Sequence, residues 1–491
     1  MTPLAIDSHN PDILAILCFN DSFLLSLGLD EIKTLLLVCR RAKPLLSFKA
    51  NRFRTWCEEA ELCRPDGWLV AGLTPSDMIA LSLKCTVQDT ADRSWLAAQS
   101  GQGNAAASYF LARILQVDLA AGTSVSDPAK DAAQQQIFQH LENAANTGHS
   151  MAQFHLAECC LSGTGVNQDH TRAVELYRHL ADRGMPQAQV ALGRCFENGE
   201  GIGQDYNTAI KWYAKAADQG SDSGRLRIVF LRAWFSFIGH GVQQSDVDAL
   251  GQWHQVSTQS TDLAIKSIAT HMVGWMHYLG RGTQRDEQKG VQIIRDSKSK
   301  EFPLGEKECL AHGGGSSNSP AARKFFELCQ LGSHHEWLCK HLMAVCLVNG
   351  CGTQEDQKKA AAMFEKLAKQ GHSDSQFWLG TCYWSGWGVS EDYKKAFPWY
   401  SKAANQGNSY GQWMVGFCYG WGYGVKSDNA KAIEWCRKSA DQGNRYGQNQ
   451  LDWSHQRGRG TAKDTGLAAR YRKAAEQNFE WAISSFEELF I

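Results

Sequence analysis

HSDSQFWLGTCYWSGWGVSEDYKKAFPWYSKAANQG, residues 372–407, contains the pattern that decides the fold. Its first half carries apolar residues at helical spacing and ends at Tyr383. Gly386 and Gly388 then interrupt the helix, because glycine adopts left-handed backbone angles at little cost. A second stretch with helical spacing follows and ends at Gly407. The stretch therefore predicts two helices joined by a glycine turn.

The same Gly-x-Gly loop recurs along the chain at a nearly constant interval. The first glycines of these loops are Gly163, Gly199, Gly239, Gly280, Gly350, Gly386, Gly422 and Gly458, with Gly122 one period earlier. Most intervals are 36–41 residues, and the single interval of 70 holds GGGSS (313–317) near its midpoint. A phosphate-binding loop occurs once per site and follows a strand, so recurrence indicates structural turns in about ten repeated units.

The units resemble a known repeat family. ALGRCFENGEGIGQDYNTAIKWYAKAADQG (191–220) carries the hallmarks of Sel-one-like repeats (SLR), relatives of the tetratricopeptide repeat with a longer, glycine-bearing loop. The resemblance covers roughly residues 94–478, and it implies an all-α fold: a right-handed superhelical solenoid of about ten helix-turn-helix repeats. The units near 221–330 depart from the pattern, and PLGEKECLAHGGGSSNSP (303–320) replaces a full first helix there.

The N-terminal 55 residues follow a different pattern, which resembles an F-box. The residues that carry this resemblance are Pro11, Ile13, Leu14, Ile16, Leu17, Leu29, Ile32, Leu36, Val38, Cys39 and Arg40. Ala42 stands where the family usually has tryptophan. The resemblance implies docking on the Skp-type adaptor of a cullin ubiquitin ligase. The alternative is a helical cap on the first solenoid unit. We therefore expect an F-box-like module (1–55), a connector (56–93), the solenoid (94–478) and a C-terminal capping helix (479–491).

Composition narrows the classes of function. The 491 residues include 50 basic and 51 acidic side chains, so no net charge attracts nucleic acid or an acidic membrane. The N-terminal apolar stretch lacks a preceding basic region and is too short to span a bilayer. We expect a cytoplasmic protein, with the nucleus as a second location, and no nucleic-acid or membrane partner.

The cysteines and histidines indicate packing rather than chemistry. Cys346, Cys382 and Cys418 recur every 36 residues on the predicted buried face, and Cys195 shares their position, which predicts core thiols. HHEWLCKH (334–341) does not have the HExxH spacing of a zinc site. No catalytic triad or phosphate loop is present, so we expect no enzyme activity, no metal and no cofactor.

The aromatic residues indicate a binding surface. Eight of the 17 tryptophans fall between 378 and 453. Trp399 and Trp435, like Trp212, occupy what the pattern predicts to be a core position of the second helix. Four aromatic residues lie off the pattern and, with two nearby arginines, form the predicted partner-binding set: Trp384, Trp387, Trp421, Tyr423, Arg457 and Arg459. The alternative for the aromatic residues is extra packing between adjacent loops.

Two classes of function follow from these observations. In the first, the protein is an adaptor that recognises substrates for an SCF-type ubiquitin ligase, with the F-box on the Skp-type adaptor and the repeats on the client protein. In the second, it is a repeat scaffold or a bacterial effector-like repeat protein with no link to a ligase. In both classes we expect the client on the first-helix face around residues 372–460.

Overall fold

The structure is a computed structural model, and it describes residues 42–64, 68–85, 92–121 and 127–476. Within these ranges the chain forms α-helices joined by short loops, with two isolated β-bridges and no β-strand. In the described ranges no helix combines the length and the hydrophobicity needed to cross a bilayer. The F-box-like residues 11–40 and the expected capping helix (479–491) lie outside the described residues.

The chain divides into two compact units, residues 1–220 and 221–491, which are described separately. The helices of the first unit are α1 (Ala42–Glu59), α2 (Pro75–Lys84), α3 (Arg93–Gly101), α4 (Ala105–Ala121), α5 (Asp127–Asn146), α6 (Ser150–Ser162), α7 (His170–Asp182), α8 (Pro186–Asn198) and α9 (Tyr206–Asp218). Helices α1 to α4 share one apolar core around Phe53, Trp56, Trp95 and Phe110.

The second unit continues the same arrangement. Its helices are α10 (Asp222–Ile238), α11 (Asp246–Gln259), α12 (Leu263–Leu279), α13 (Glu287–Asp296), α14 (Pro320–Gly332), α15 (Trp337–Asn349), α16 (Gln357–Lys369), α17 (Ser373–Ser385), α18 (Tyr393–Asn405), α19 (Ser409–Trp421), α20 (Asn429–Asp441), α21 (Arg445–Arg457) and α22 (Thr465–Glu476). From α4 onward, the helices of both units alternate as first and second members of repeated pairs, except that α13 and α14 are both second helices, because residues 297–319 replace the first helix between them. The predicted helical repeat solenoid is confirmed.

The ends of the helices follow from the repeated loop. Gly386 ends α17 in the left-handed conformation (φ 72°), and its N–H donates to the carbonyl of Cys382. Asp392 then caps α18, because its carboxylate accepts from the N–H of Lys395. The first glycine of every Gly-x-Gly loop from Gly163 to Gly458 also has a positive φ. The glycine loop is therefore a helix-ending turn, as predicted.

The buried amide side chains of Gln376 and Gln412 connect the two helices of their own pair, and Gln376 also connects to the preceding pair. The Nε2 of Gln406 donates to Oε1 of Gln376 at 2.7 Å, and Gln442 donates to Gln412 in the same way at 2.6 Å. Gln376 in turn donates to the carbonyl of Ala368 at 3.1 Å. These bonds repeat at the period of the sequence, so they fix the register of one pair against the next.

Residues 297–319 are the main departure from the repeat. In place of a first helix, the chain forms one π-helical turn at Lys307–Ala311, in which the N–H of His312 donates to the carbonyl of Lys307. Three consecutive glycines with positive φ, Gly313 to Gly315, follow this turn. The expected absence of a full first helix at this position is confirmed.

The prediction for Trp399 is wrong. Trp399 is only half-buried, and the Nζ of Lys402 lies 4.0 Å from its ring centroid. The buried aromatic of α18 is the next residue, Tyr400, which is fully buried and packs against Gly380 of α17. Trp212 and Trp435 are likewise half-buried beneath a lysine three residues on. This tryptophan position lies at the margin of the core, where Trp212 still contacts buried residues, and not in its centre.

Candidate functional site

Five aromatic side chains form a continuous strip, which we call the aromatic edge: Trp384, Phe417, Trp421, Tyr423 and Trp453. The ring centroids of Trp384 and Tyr423 are 5.1 Å apart, and Phe417 stacks on Tyr423 at 6.1 Å. Trp421 continues the strip from Phe417 at 6.3 Å, and Trp453 lies 5.4 Å from Trp421. Edge-to-face and offset contacts of this kind stabilise each ring beyond its buried area. The strip therefore holds its rings in fixed positions.

The aromatic edge is accessible to a partner at Trp421. This side chain is the last residue of α19 and is 37% exposed, whereas Phe417 behind it is 8% exposed. Trp384, Tyr423 and Trp453 are half-buried. A half-buried aromatic ring that packing already holds loses little conformational entropy on binding, which is the property of an interface anchor.

Two arginines place positive charge on this strip. The guanidinium carbon of Arg459 lies 4.3 Å from the Trp421 centroid and 5.4 Å from that of Trp453. The guanidinium carbon of Arg457 lies 4.9 Å from the Trp453 centroid. Arg459 also donates to the carbonyl of Gly420 at 2.7 Å. Neither arginine forms an ion pair with a carboxylate of the described residues, so their charge is compensated only by ring faces, carbonyls, amides and water.

A shallow pocket opens among α19, α20 and α21 beside Arg459. Trp421, Trp453 and Arg459 line it, together with the side chain of Gln450. Gln450 is 6% exposed, and its Oε1 has no hydrogen-bond donor among the described residues. A buried acceptor without a donor costs about 1–3 kcal/mol. The pocket can therefore accept a hydrogen-bond donor from a partner, and the nearby arginines attract the carboxylates of that partner.

A neighbouring aromatic residue adds a further contact. The Tyr393 ring centroid lies 4.7 Å from that of Trp384 and 5.1 Å from that of Tyr423. A hydrogen bond to the Glu391 carboxylate, helped by partial burial, raises the pKa of Tyr393 to about 12. Its phenol therefore stays neutral at physiological pH.

The first-helix face of α17, α19 and α21 is not open. Residues Phe302–Gly313, here called the groove segment, lie along it. Tyr410 of α19 is 2% exposed, and its hydroxyl donates to Oε1 of Glu306 at 2.8 Å. The indole of Trp378 donates to the carbonyl of Cys309 at 2.8 Å. The chain itself therefore covers this part of the first-helix face, and the location of a client around 372–460 stays a prediction.

Comparison with known proteins identifies the repeated pairs. The family model described as Sel1 repeat matches residues 150–185, 186–221, 267–293, 338–372, 373–408, 409–444 and 445–479. Seven segments of this chain match the Sel1 repeat. The repeats indicate a protein-interaction scaffold. The structure contains further helix pairs between the matched segments, such as α10 and α11, whose sequences have diverged from the family pattern.

Two solved structures are similar to the chain. One is a protective antigen present in uropathogenic Escherichia coli strains and displaying an SLR fold; it is 26% identical, with 78% of this chain and 79% of that chain covered and a TM-score of 0.34. The other is a Sel1 repeat protein from Oxalobacter formigenes, 22% identical, with 73% of this chain and 90% of that chain covered and a TM-score of 0.29. No curated protein matches the chain.

The Sel1 repeats bring five of the six predicted partner-binding residues together. Trp384, Trp421 and Tyr423 belong to the aromatic edge, and Arg457 and Arg459 lie on it. The sixth predicted residue has a separate location: Trp387 stacks on Trp378 at 6.3 Å and lies beside Gly313 of the groove segment.

Sequence reasoning misses two members of the aromatic edge. Phe417 and Trp453 are absent from the predicted binding set, although they lie 36 residues apart and so occupy the same position in successive first helices. That spacing is the signal that could have identified them.

The predicted core thiols are confirmed. Cys195, Cys346, Cys382 and Cys418 are free and buried, and burial raises the pKa of the Cys382 thiol to about 12. His341, from the histidine-rich stretch 334–341, is buried against Ser375, and its Nδ1 lies 2.9 Å from the Ser375 hydroxyl. Burial lowers the pKa of His341 to about 3, so the ring is neutral. No group of three or more metal-binding side chains occurs among the described residues.

Proposed function

We propose that this chain is a protein-interaction scaffold whose partner binds along the aromatic edge through a segment that carries acidic and apolar side chains. The single observation that supports this most is the position of Arg459 between Trp421 and Trp453, with no described carboxylate to neutralise it. An acidic side chain of a partner would neutralise the arginines while an apolar neighbour covers Trp421.

The energetics favour an aromatic anchor of this kind. Residues with large, rigid side chains dominate binding energy when they are surrounded by contacts that exclude water. Trp421 has Phe417 behind it and Trp453 beside it, so a partner that covers it completes its burial without reordering the rings. The charges of Arg457 and Arg459 contribute mainly to the association rate and to the preference for an acidic partner.

The test uses defined peptides and the full chain. Fluorescein-labelled 12-residue peptides with two glutamates around a central leucine or tryptophan are titrated by fluorescence anisotropy, and lysine-for-glutamate peptides serve as the charge control. We expect the acidic peptides to bind, with weaker binding at high salt. The double variant Trp384→Ala/Trp421→Ala should weaken binding by roughly 30- to 900-fold, or about 2–4 kcal/mol, with helix content unchanged.

Trp399→Ala is the matched control. Trp399 is also a half-buried tryptophan under a cation, but it lies on another side of α18, and among the described residues its ring contacts no ring of the aromatic edge. Its replacement should leave peptide binding unchanged. Loss of helix signal in the Trp384/Trp421 variant, or unchanged binding in a folded one, would mean that the aromatic edge is internal packing between loops.

The ubiquitin-ligase function is a finer hypothesis that rests on sequence residues 11–40, which lie outside the described residues. Co-purification with a recombinant Skp-type adaptor tests this hypothesis. The double variant Leu14→Ala/Leu36→Ala should abolish co-purification, while peptide binding at the aromatic edge persists. Of the two classes, the Sel1 repeats support the scaffold without requiring the ligase.

A further inference from the structure

The groove segment, Phe302–Gly313, is a buried stretch between two exposed stretches, as a bound peptide would be, and it does not form a repeat helix. Exposed polar residues precede it at 298–301, and exposed residues follow it at 314–316. Between these flanks the segment is almost entirely buried: Phe302 and Leu304 are fully covered, and Glu306 is 2% exposed. The segment therefore enters and leaves the protein surface through polar stretches, and between them Phe302 packs against His271 of α12 and Phe325 of α14.

A carboxylate pocket holds the segment at Glu306. Arg445 of α21 lies 2.8 Å from Oε2 of Glu306, and Arg295 of α13 lies 2.9 Å from the same oxygen. The hydroxyl of Tyr410 in α19 donates to Oε1 at 2.8 Å. Donors from three helices thus converge on one carboxylate, and a buried carboxylate needs such compensation.

The groove also binds the backbone of the segment. Besides the bond from Trp378 to the Cys309 carbonyl, the Nδ2 of Asn349 donates to the carbonyl of Glu308 at 3.2 Å. The same Asn349 accepts from the N–H of Gly314 at 2.6 Å through its Oδ1. Side chains that bond to main-chain groups of an irregular segment are a feature of peptide recognition, because these contacts do not depend on the side chains of the bound residues.

Aromatic side chains complete the groove at the far end of the segment. His312 contacts the ring of Trp413 edge-on at 5.1 Å and that of Tyr446 at 5.5 Å. Where the groove segment is missing, the equivalent face is open: Gln187, which has in α8 the position of Tyr410 in α19, is exposed. Tyr410 is thus covered by the segment as well as by its neighbours Phe377 and Tyr446 in the adjacent first helices.

We propose that the groove segment is a resident ligand of a peptide-binding groove. The groove fits a peptide whose carboxylate binds Arg295, Tyr410 and Arg445. Apolar residues flank this carboxylate in the peptide, and a backbone carbonyl of the peptide accepts the hydrogen bond of Trp378. While the segment is in place, the groove is closed to other peptides. This surface is distinct from the aromatic edge, so the proposal goes beyond the proposed function, and either can fail without the other.

The main experiment removes the ligand and restores it as a separate peptide. In the full chain, residues 304–310 are replaced by seven glycine and serine residues, and a fluorescein-labelled peptide with the sequence of residues 298–314 is titrated by fluorescence anisotropy. We expect binding to this variant and none to the unaltered chain. A peptide with the change Glu306→Gln should bind at least tenfold more weakly, whereas a peptide with Glu308→Gln, whose carboxylate bonds within the segment and its flank, should bind like the parent.

Two outcomes of this titration would overturn the proposal. One is a helical variant that does not bind the peptide, and the other is equal binding of the parent and Glu306→Gln peptides.

A milder variant covers the case in which the replacement prevents folding. Glu306→Gln in the full chain is followed by hydrogen exchange. A resident ligand predicts at least tenfold faster exchange in residues 302–313, while α17, α19 and α21 keep their protection. If the segment and these helices lose protection together, the segment is part of the core and the proposal is wrong.

Discussion

At the scale of single residues, the second glycine of most loops, though not Gly241, has a role that the first does not share. Gly388 has φ +69°, and a Cβ at this position would lie 2.1 Å from the carbonyl oxygen of Gln357 in the preceding pair. Gly424 stands in the same relation to Tyr393, at 2.0 Å. The loop thus places its backbone directly on the start of the neighbouring second helix. Glycine is required there both for its conformation and for its lack of a side chain.

Gly388→Ala is therefore expected to destabilise the protein by about 2–5 kcal/mol, because left-handed strain is added to overpacking. Gly407→Ala is the matched control, since Gly407 also has a positive φ (+90°) but a methyl group added there would meet no atom within 4 Å. It should cost only about 1 kcal/mol. Denaturant unfolding followed by circular dichroism measures both. Equal losses for the two variants would mean that close approach to Gln357 contributes nothing.

At the scale of elements, α18 shows how adjacent aromatic residues divide between core and surface. Tyr400 is fully buried between α17 and α18, and its hydroxyl lies 3.3 Å from that of Thr381. Trp399 lies at the margin of the core, with Lys402 over its ring. One residue corresponds to about 100° around a helix, so the two neighbours face different surroundings.

Tyr400→Ala should consequently cost about 3–5 kcal/mol of unfolding free energy, as expected for an aromatic residue removed from a core. Trp399→Ala should cost about 1 kcal/mol, the usual loss for a partly exposed position. Thermal unfolding of the two variants gives the comparison. The reverse order would place the core of α18 on the side of Trp399.

The same helix explains what sequence reasoning can and cannot predict. The repeat period determines the helix pairs and their turns because these contacts recur, and the recurrence is visible in the sequence. Periodicity with two neighbouring aromatics does not distinguish which one is buried, so the pattern places Trp399 in the core instead of Tyr400. The groove segment makes contacts that occur once, such as that of Glu306 with Tyr410, and a repeat pattern contains no information about them.

At the scale of the whole molecule, stability should be distributed over neighbouring pairs rather than shared by a single core. The chain forms two compact units, 1–220 and 221–491. We expect calorimetry of the full chain to resolve more than one unfolding transition, because each unit has its own internal contacts. A single transition that coincides with that of a fragment containing residues 331–491 would contradict this expectation.

The same fragment has a second use, because it lacks the groove segment. Without Glu306, the guanidinium of Arg445 and the hydroxyl of Tyr410 lose their shared carboxylate, and Trp378 loses the Cys309 carbonyl. The midpoint of the fragment should therefore lie several degrees below that of the matching transition in the full chain.

The groove segment also has a consequence for biosynthesis. Translation proceeds from the N-terminus at about 5–20 residues per second, so the segment leaves the ribosome before most of the helices that cover it. Tyr410 follows Glu306 by 104 residues, and Trp378 follows Cys309 by 69. For roughly 5–20 seconds the nascent chain thus carries the Glu306 carboxylate without the hydroxyl of Tyr410. The groove segment is therefore synthesised before α17, α19 and α21, and each of these helices folds next to a segment that is already present.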